Sequence, residues 1–350
     1  MDRRSKVITA IIRVAIDKGL HDIEVNADRG VRNLLDLGRY FSKGQNHIDF
    51  FNRVQQIMSN KNNHYYTLIR RILHNVDHEI IKTFGINLGY NSWTYGAKKI
   101  KECEKKCDCK IPWSIIFDLH SPDITMPISS ISETLSCGES LGIYSGMFFT
   151  NSNKEYLEKL ISALASHRNS AYFVFVQPEV LTDKIVEQAV LAANVAMFVR
   201  LKAPVDDYEN VKKATDILFD HKCLYGIYSL YDDDNLEYMM SADYAKLVET
   251  LNSSFTFLVR KSELKNEKRF AQFLKTTRSA KDYSFFLLDF YDDLARINEI
   301  ISVENSFITI KANGNIDCKL IDTIAEGLNI KKKSLIAILK QLLPRTQSCY

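Results

Sequence analysis

The feature that most constrains the fold of this sequence is an alternation of short apolar runs and amphipathic stretches, which begins near residue 113. The runs are rich in β-branched and aromatic residues, as is typical of strands buried on both faces. There are seven of them: 113–119, 142–149, 172–176, 195–201, 224–230, 255–259 and 285–290. Strands of this kind, separated by helices, indicate a parallel sheet with helices packed on its outer side.

Helical patterns fill most of the intervals, at 132–140, 155–166, 183–192, 208–221 and 241–251. About six strand–helix units in this length predict an α/β fold, a partial (β/α)6 barrel, with a doubly wound sheet as the alternative. The composition, 46% apolar and 25% charged, is that of a globular chain and excludes a disordered one.

Charge and periodicity divide the chain into three regions. Residues 1–110 carry 20 Lys and Arg against 12 Asp and Glu, with apolar residues at helical spacing, whereas the remainder carries 26 against 31. We predict a helical N-terminal region at 1–110, the barrel at 111–303, and a hairpin with a helical tail at 304–350. The opposite charges predict that the basic helices dock against the acidic barrel.

The third region contains two alternating runs on either side of Asn313-Gly314, within 307–318. Because both turn residues tolerate positive φ, the pattern predicts a β-hairpin. Helical patterns follow at 320–328 and 333–343. The stretch 322–343 vaguely resembles a helix-turn-helix, but such helix pairs are common, and nucleic acid is not an expected partner.

The cysteines bear on the cellular compartment. There are seven, an odd number, and four of them are far apart, which does not indicate a disulfide framework. No apolar run approaches the length that spans a bilayer, and Arg13 interrupts the apolar stretch that opens the chain. We therefore predict a reduced, cytoplasmic protein without a membrane partner.

Five stretches, in order, resemble the radical S-adenosylmethionine (radical SAM) superfamily, in a branch with a helical N-terminal extension. They are 110–118, 141–144, 206–218, 235–243 and 308–318, and the resemblance covers about residues 30–318. It implies a partial barrel of about six strands. It also implies a [4Fe–4S] cluster and S-adenosylmethionine as cofactors, with three cluster-binding thiolates on the loop after the first strand.

This chain departs from that pattern in the cluster loop. Its loop after the first strand, 119–127, contains no cysteine. His120 or Asp123 could bind a hard or borderline metal, but neither replaces three soft thiolates.

The cofactor pocket implied by the resemblance is altered as well. Where the family has a Gly-rich motif after the second strand, this chain has side chains, and Gln177-Pro178 replaces the Asn-Gly after the third. A lysine stands after the fourth strand, where the family has a Glu. The degenerate pocket positions are Asn151, Ser152, Asn153 and Lys202.

Cys103, Cys107 and Cys109 form the best chemical motif in the chain, and nearby lysines are expected to lower their thiol pKa values. The motif precedes the first strand, which favours incidental thiols over a metal site, with a [4Fe–4S] cluster as the alternative. Cys318 resembles one cysteine of the family's extra cluster region but lacks its companions, so it is interpreted as incidental.

Two further patterns are given structural interpretations. His74 and His78 are predicted to lie on one helix face, which favours a solvated surface over a metal site because the acidic residue of a zinc motif is absent. The run 232–235 lacks the glycine and distal Glu of a calcium loop and predicts a turn with capping carboxylates.

Together these features favour a non-catalytic radical-SAM-like protein that acts as a scaffold, an accessory subunit or a binder of a peptide or protein partner. An active radical SAM relative or a peptide is the expected partner. No catalytic residue, metal or cofactor is expected. The alternatives are an active enzyme with its cluster on Cys103, Cys107 and Cys109, and a small-ligand or nucleic-acid-binding module.

Overall fold

The computed structural model describes residues 3–26, 64–203, 207–280, 283–301, 307–317 and 327–345, with isolated positions between 29 and 52. Cys318 and the pattern at 320–328, apart from its last two residues, lie outside the described residues. Within the described part of the chain, no helix is both long and apolar enough to cross a membrane.

The N-terminal region is helical. Asp77 begins the third helix, because its side chain accepts hydrogen bonds from the backbone N–H groups of Glu79 and Ile80. The helices are α1 (Arg3–Val25), α2 (His64–Asn75), α3 (His78–Gly85), a π-helix (Ile86–Gly96) and α4 (Ala97–Cys107).

The central region alternates strands and helices, as predicted. Its strands are β1 (Ile115–Leu119), β2 (Ser145–Thr150), β3 (Ala171–Val176), β4 (Val195–Arg200), β5 (Tyr225–Tyr231), β6 (Phe255–Arg260) and β7 (Phe286–Asp289). Its helices are α5 (Ile128–Leu141), α6 (Lys154–Ser166), α7 (Asp183–Ala192), α8 (Tyr208–Asp220), α9 (Leu236–Met239), α10 (Ala242–Thr250), α11 (Glu267–Ala280) and α12 (Phe290–Ile301), with a 3-10 turn at Pro178–Val180.

Each of these strands pairs in parallel with its neighbour in sequence, from β1 to β7. The predicted hairpin is confirmed: β8 (Thr309–Lys311) and β9 (Ile316–Asp317) are antiparallel, and Gly314 at the turn has a φ of +86°. β8 also pairs in parallel with β1, which completes a sheet in the order β7-β6-β5-β4-β3-β2-β1-β8-β9. Helix α13 (Leu335–Leu342) follows.

The sheet is curled rather than flat. Phe149 of β2 and Phe290, the first residue after β7, have ring centroids 5.1 Å apart, although four strands separate β2 from β7. A flat sheet would place those two strands about 24 Å apart. The architecture is therefore the partial α/β barrel that the strand–helix alternation predicts, and it uses seven strand units rather than about six.

Aromatic rings fill the inside of the curl. Phe175 stacks on Phe149 at 4.3 Å and also contacts Phe198, Phe257 and Phe290. Gly226 on β5 leaves the room that this packing needs, because a Cβ there would lie 2.8 Å from the ring of Phe198. The barrel interior is thus a packed core.

The N-terminal helices cover the amino end of the barrel. Asn87 Nδ2 donates to the carbonyls of Arg168 (2.9 Å) and Ser170 (3.0 Å) in the loop before β3, and the ring of Phe84 packs on Phe173 at 5.4 Å. Cations of these helices also donate to barrel carbonyls, Arg71 to Ser253 at 2.7 Å and Lys99 to Glu139 at 2.9 Å. The basic helices therefore dock on the barrel, through hydrogen bonds to backbone carbonyls and through ring packing.

We expect Phe175→Ala to lower the free energy of unfolding by about 3–5 kcal/mol, because it removes a fully buried ring that touches several strands at once. Urea denaturation measures the loss. The matched control is Phe219→Ala on α8, where the side chain is 36% exposed and the cost should stay below about 1 kcal/mol. Equal losses at the two positions would contradict a ring-packed interior.

Candidate functional site

The carboxyl ends of the parallel strands meet at one end of the barrel, and this is the candidate functional site. The loops there follow β1 (119–127), β2 (151–153), β3 (177 onward) and β4 (201–203). In α/β barrels the loops at this end carry the functional side chains.

The loop after β1 is fastened to its neighbours by backbone groups. The N–H groups of Thr125 and Met126 donate to the carbonyl of Ala312 in the hairpin, at 3.1 and 3.0 Å. On the other side, the hydroxyl of Tyr156 donates to the carbonyl of Met126 at 3.0 Å. The loop is therefore held between the β8–β9 hairpin and helix α6.

Four charged or titratable side chains form a cluster where β1 ends. His120 Nδ1 lies 3.1 Å from Asp118 Oδ1, and Lys311 Nζ lies 2.9 Å from Asp118 Oδ2 and 3.4 Å from Asp317 Oδ2. The hydrogen bond with His120, together with Lys311, holds the pKa of Asp118 well below its usual range. Burial alone would lower the pKa of Lys311, but its hydrogen bonds to the two carboxylates outweigh burial and raise it.

This cluster supplies ammonium, imidazole and carboxylate groups. Lys311 stands between Asp118 and Asp317, where its single positive charge offsets one of the two carboxylate charges. Among the described residues, no three His, Cys, Asp or Glu side chains are grouped to hold a metal ion. The donor chemistry at the end of β1 does not match the three thiolates that a [4Fe–4S] cluster requires.

Three of the positions at which the resemblance implied an altered pocket make local hydrogen bonds. Asn151 Nδ2 donates to the carbonyl of Ser121 at 2.7 Å, which joins the loops after β2 and β1. Asn153 caps α6 by accepting from the N–H of Tyr156 at 2.9 Å, and Ser152 donates to Glu179. These side chains tie the strand-end loops to one another.

Lys202 lies apart from them, at a cleft between the ends of β3 and β4. The cleft has a volume of about 240 Å³ and is lined by Arg200, Glu179, Asp207 and other residues. Two cations and two carboxylates thus line it, so its charge is balanced.

The aromatic core extends to this end of the barrel. Phe149 and Phe175 are the next-to-last residues of their strands, and Phe290 directly follows β7. The ring of His120 packs against Phe149 at a centroid distance of 5.4 Å, which joins the charged cluster to the core. Rings therefore occupy the centre that the strand-end loops surround.

The three N-terminal cysteines lie at the opposite end, before β1. Cys103 and Cys107 are on α4, as predicted, and Cys109 follows its end and forms a strand bridge with Pro344. The expectation of lowered thiol pKa values was wrong for Cys103 and Cys109: burial raises the pKa of Cys103 and raises that of Cys109 to about 11. Desolvation outweighs the nearby lysines, so both thiols are protonated at neutral pH.

The two structural interpretations have different outcomes. Helical structure breaks between α2 and α3, where Asp77 caps the start of α3, so His74 and His78 lie on separate helices. The prediction that they share one helix face was wrong. The turn at 232–235 is confirmed, because Asn235 Oδ1 accepts from the N–H of Asp232 and Asp232 Oδ1 accepts from the N–H of Asp234. The predicted capping by its carboxylates was wrong, because α9 begins after Asn235 without a side-chain cap hydrogen bond.

Sequence reasoning missed Lys311 and Asp317, which are on the hairpin. Lys311 is 193 residues from Asp118 in the sequence. It also missed the buried pair of Tyr231 and Asp289 at the ends of β5 and β7, joined by a hydrogen bond of 2.6 Å. Burial raises the pKa of Asp289. For Lys311, the signal available in the sequence was the alternation of Ile308, Ile310 and Ala312 with polar residues. This alternation places Lys311 on the face of the strand opposite the buried residues.

We expect Lys311→Met to lower the free energy of unfolding by about 1 kcal/mol at pH 7, a modest value because solvent screens this part-exposed pair. The pKa of Asp118 is depressed in the folded state, so its contribution is complete above its unfolded pKa of about 4 and is lost as pH falls further. Urea denaturation at neutral and acidic pH should show the difference shrinking. Lys159→Met, in an exposed ion pair with Glu155, is the control and should change little. If the variant and the unchanged protein differed in free energy of unfolding by the same amount at both pH values, the ion pair of Lys311 with the Asp118 carboxylate would be contradicted.

No protein-family model and no curated protein sequence matches this chain. Solved structures do. Streptococcus suis SuiB bound to its precursor peptide SuiA has a TM-score of 0.51 and 11% sequence identity, over 70% of this chain and 68% of that one. SuiB bound to S-adenosylmethionine has a TM-score of 0.50 and 11% sequence identity, over 70% of this chain and 69% of that one. The chain therefore shares the fold of radical SAM proteins, a mostly parallel sheet curled into a partial α/β barrel.

Proposed function

We propose that this chain is a non-catalytic protein with the radical SAM fold, which binds a peptide or protein partner. The observation that carries the proposal is the chemistry of the loop after β1: residues 119–127 offer no thiol. The cluster that starts radical SAM chemistry needs three thiolates from one loop, and no other residue type in this loop replaces them.

The packing of the barrel supports the same proposal. Phe149, Phe175 and Phe290 occupy the centre of the carboxyl end, where a cofactor of this fold family would need an open mouth. Lys311 holds the carboxylates of Asp118 and Asp317 in ion pairs. Both arrangements stabilise the barrel as a scaffold.

A peptide is the partner we favour. SuiB, whose fold this chain shares, is seen bound to its precursor peptide SuiA. A reduced, cytoplasmic setting belongs to the same proposal and is supported by the free thiols of the described chain, which are Cys103, Cys107, Cys109, Cys137 and Cys223.

Anaerobic reconstitution with ferrous iron and sulfide tests the non-catalytic assignment. We expect less than stoichiometric iron, no visible thiolate-to-iron absorbance, and no heat of S-adenosylmethionine binding in titration calorimetry. The matched variant is the triple change Cys103→Ser, Cys107→Ser and Cys109→Ser, which should behave like the unchanged protein.

Two results would overturn the proposal. A brown protein with stoichiometric iron that the triple variant loses would establish the alternative, a cluster on the three N-terminal cysteines. A brown protein whose colour survives the triple change would place a cluster elsewhere and equally contradict a non-catalytic role.

A further inference from the structure

A groove lies at the amino end of the barrel, opposite the carboxyl-end site, between α1, α2 and the start of β5. It has a volume of about 700 Å³, which is within the range of sites that hold small molecules or short peptide segments. Leu20 and Ile23 of α1 and Leu73 of α2 give it an aliphatic floor. We refer to it as the basic groove.

The charged groups that line the basic groove are all cationic. Arg70 and Arg71 come from α2, and Lys222 comes from the turn before β5. The imidazoles of His74 and His78 complete its polar lining. None of the described residues that line the groove carries a carboxylate.

The barrel holds one of these cations in place, because a guanidinium nitrogen of Arg71 donates to the carbonyl of Ser253 at 2.7 Å. The turn that carries Lys222 is joined to the N-terminal helices, because the N–H of Asp77 donates to the carbonyl of Lys222 at 2.8 Å. Burial lowers the pKa of Arg71.

We propose that the basic groove binds an acidic peptide segment, whose carboxylates pair with Arg70, Arg71 and Lys222 and whose apolar side chains cover the aliphatic floor. The inference rests on the proposed partner-binding function and names the surface that performs it. Guanidinium groups suit this role because they bind carboxylates through two parallel hydrogen bonds. The aliphatic floor offers apolar side chains a surface to cover, which favours a peptide over a nucleic acid.

Fluorescence anisotropy tests the proposal on the full chain, with a short labelled peptide of Glu-Glu-Leu repeats as the probe. We expect binding that weakens as salt increases, and a Gln-Gln-Leu peptide that does not bind. The double variant Arg70→Glu with Lys222→Glu should bind the peptide more weakly, with a dissociation constant raised by at least about tenfold. The matched double variant Lys213→Glu with Lys246→Glu changes the same charge at exposed positions outside the groove and should bind like the unchanged protein.

Equal affinity for the groove variant and the matched variant would overturn the proposal, as would equal binding of the Gln-Gln-Leu peptide. A labelled single-stranded RNA that binds more tightly than the acidic peptide, and is lost in the groove variant, would reassign the groove to nucleic acid. A monomer–dimer shift in light scattering that the groove variant abolishes would reassign it to a second copy of the chain. Because iron and S-adenosylmethionine binding are measured separately, a failure here leaves the non-catalytic assignment standing.

Discussion

The curl of the sheet depends on ring packing between strands that are far apart in its order. Contacts of Phe149, Phe175 and Phe290 join β2 and β3 to the chain that leaves β7. Hydrogen bonds between neighbouring strands do not make this connection. Dispersion and hydrophobic burial act without preferred direction, so they hold the curved sheet closed on itself. The positions of the strand-end loops, and so the geometry of the candidate site, follow from this core.

Most of the barrel could be predicted because its signals are local. The helix predicted at 183–192 has those bounds in the structure, and each of the seven apolar runs contains all or nearly all of one strand. Local signals did not reveal that β8 adds to the sheet beside β1, since that pairing depends on how the whole chain folds. The last strand, at 286–289, was predicted, but the helix before it, Glu267–Ala280, was not, so the strand–helix units were counted as about six.

The candidate site was less predictable for the same reason. The sequence itself shows that loop 119–127 has no cysteine. The ion pairs of Lys311 could not be read from the sequence, because they join residues at opposite ends of the barrel region. Sequence neighbours also mislead about titration: lysines surround Cys109 in the chain, yet burial decides its pKa. In the same way, Asp77 caps a new helix at the position where periodicity alone suggested one continuous face.

The hairpin has a consequence for how the protein is made. β1 emerges from the ribosome with β2 soon behind it, but its other edge stays unpaired until β8 is translated, nearly two hundred residues later. At bacterial or eukaryotic rates of about 5–20 residues per second, that interval is about 10–40 s. During it, an apolar strand edge is open to pairing with another nascent chain, so chaperone demand should be greatest just before β8, at residues 309–311, is translated.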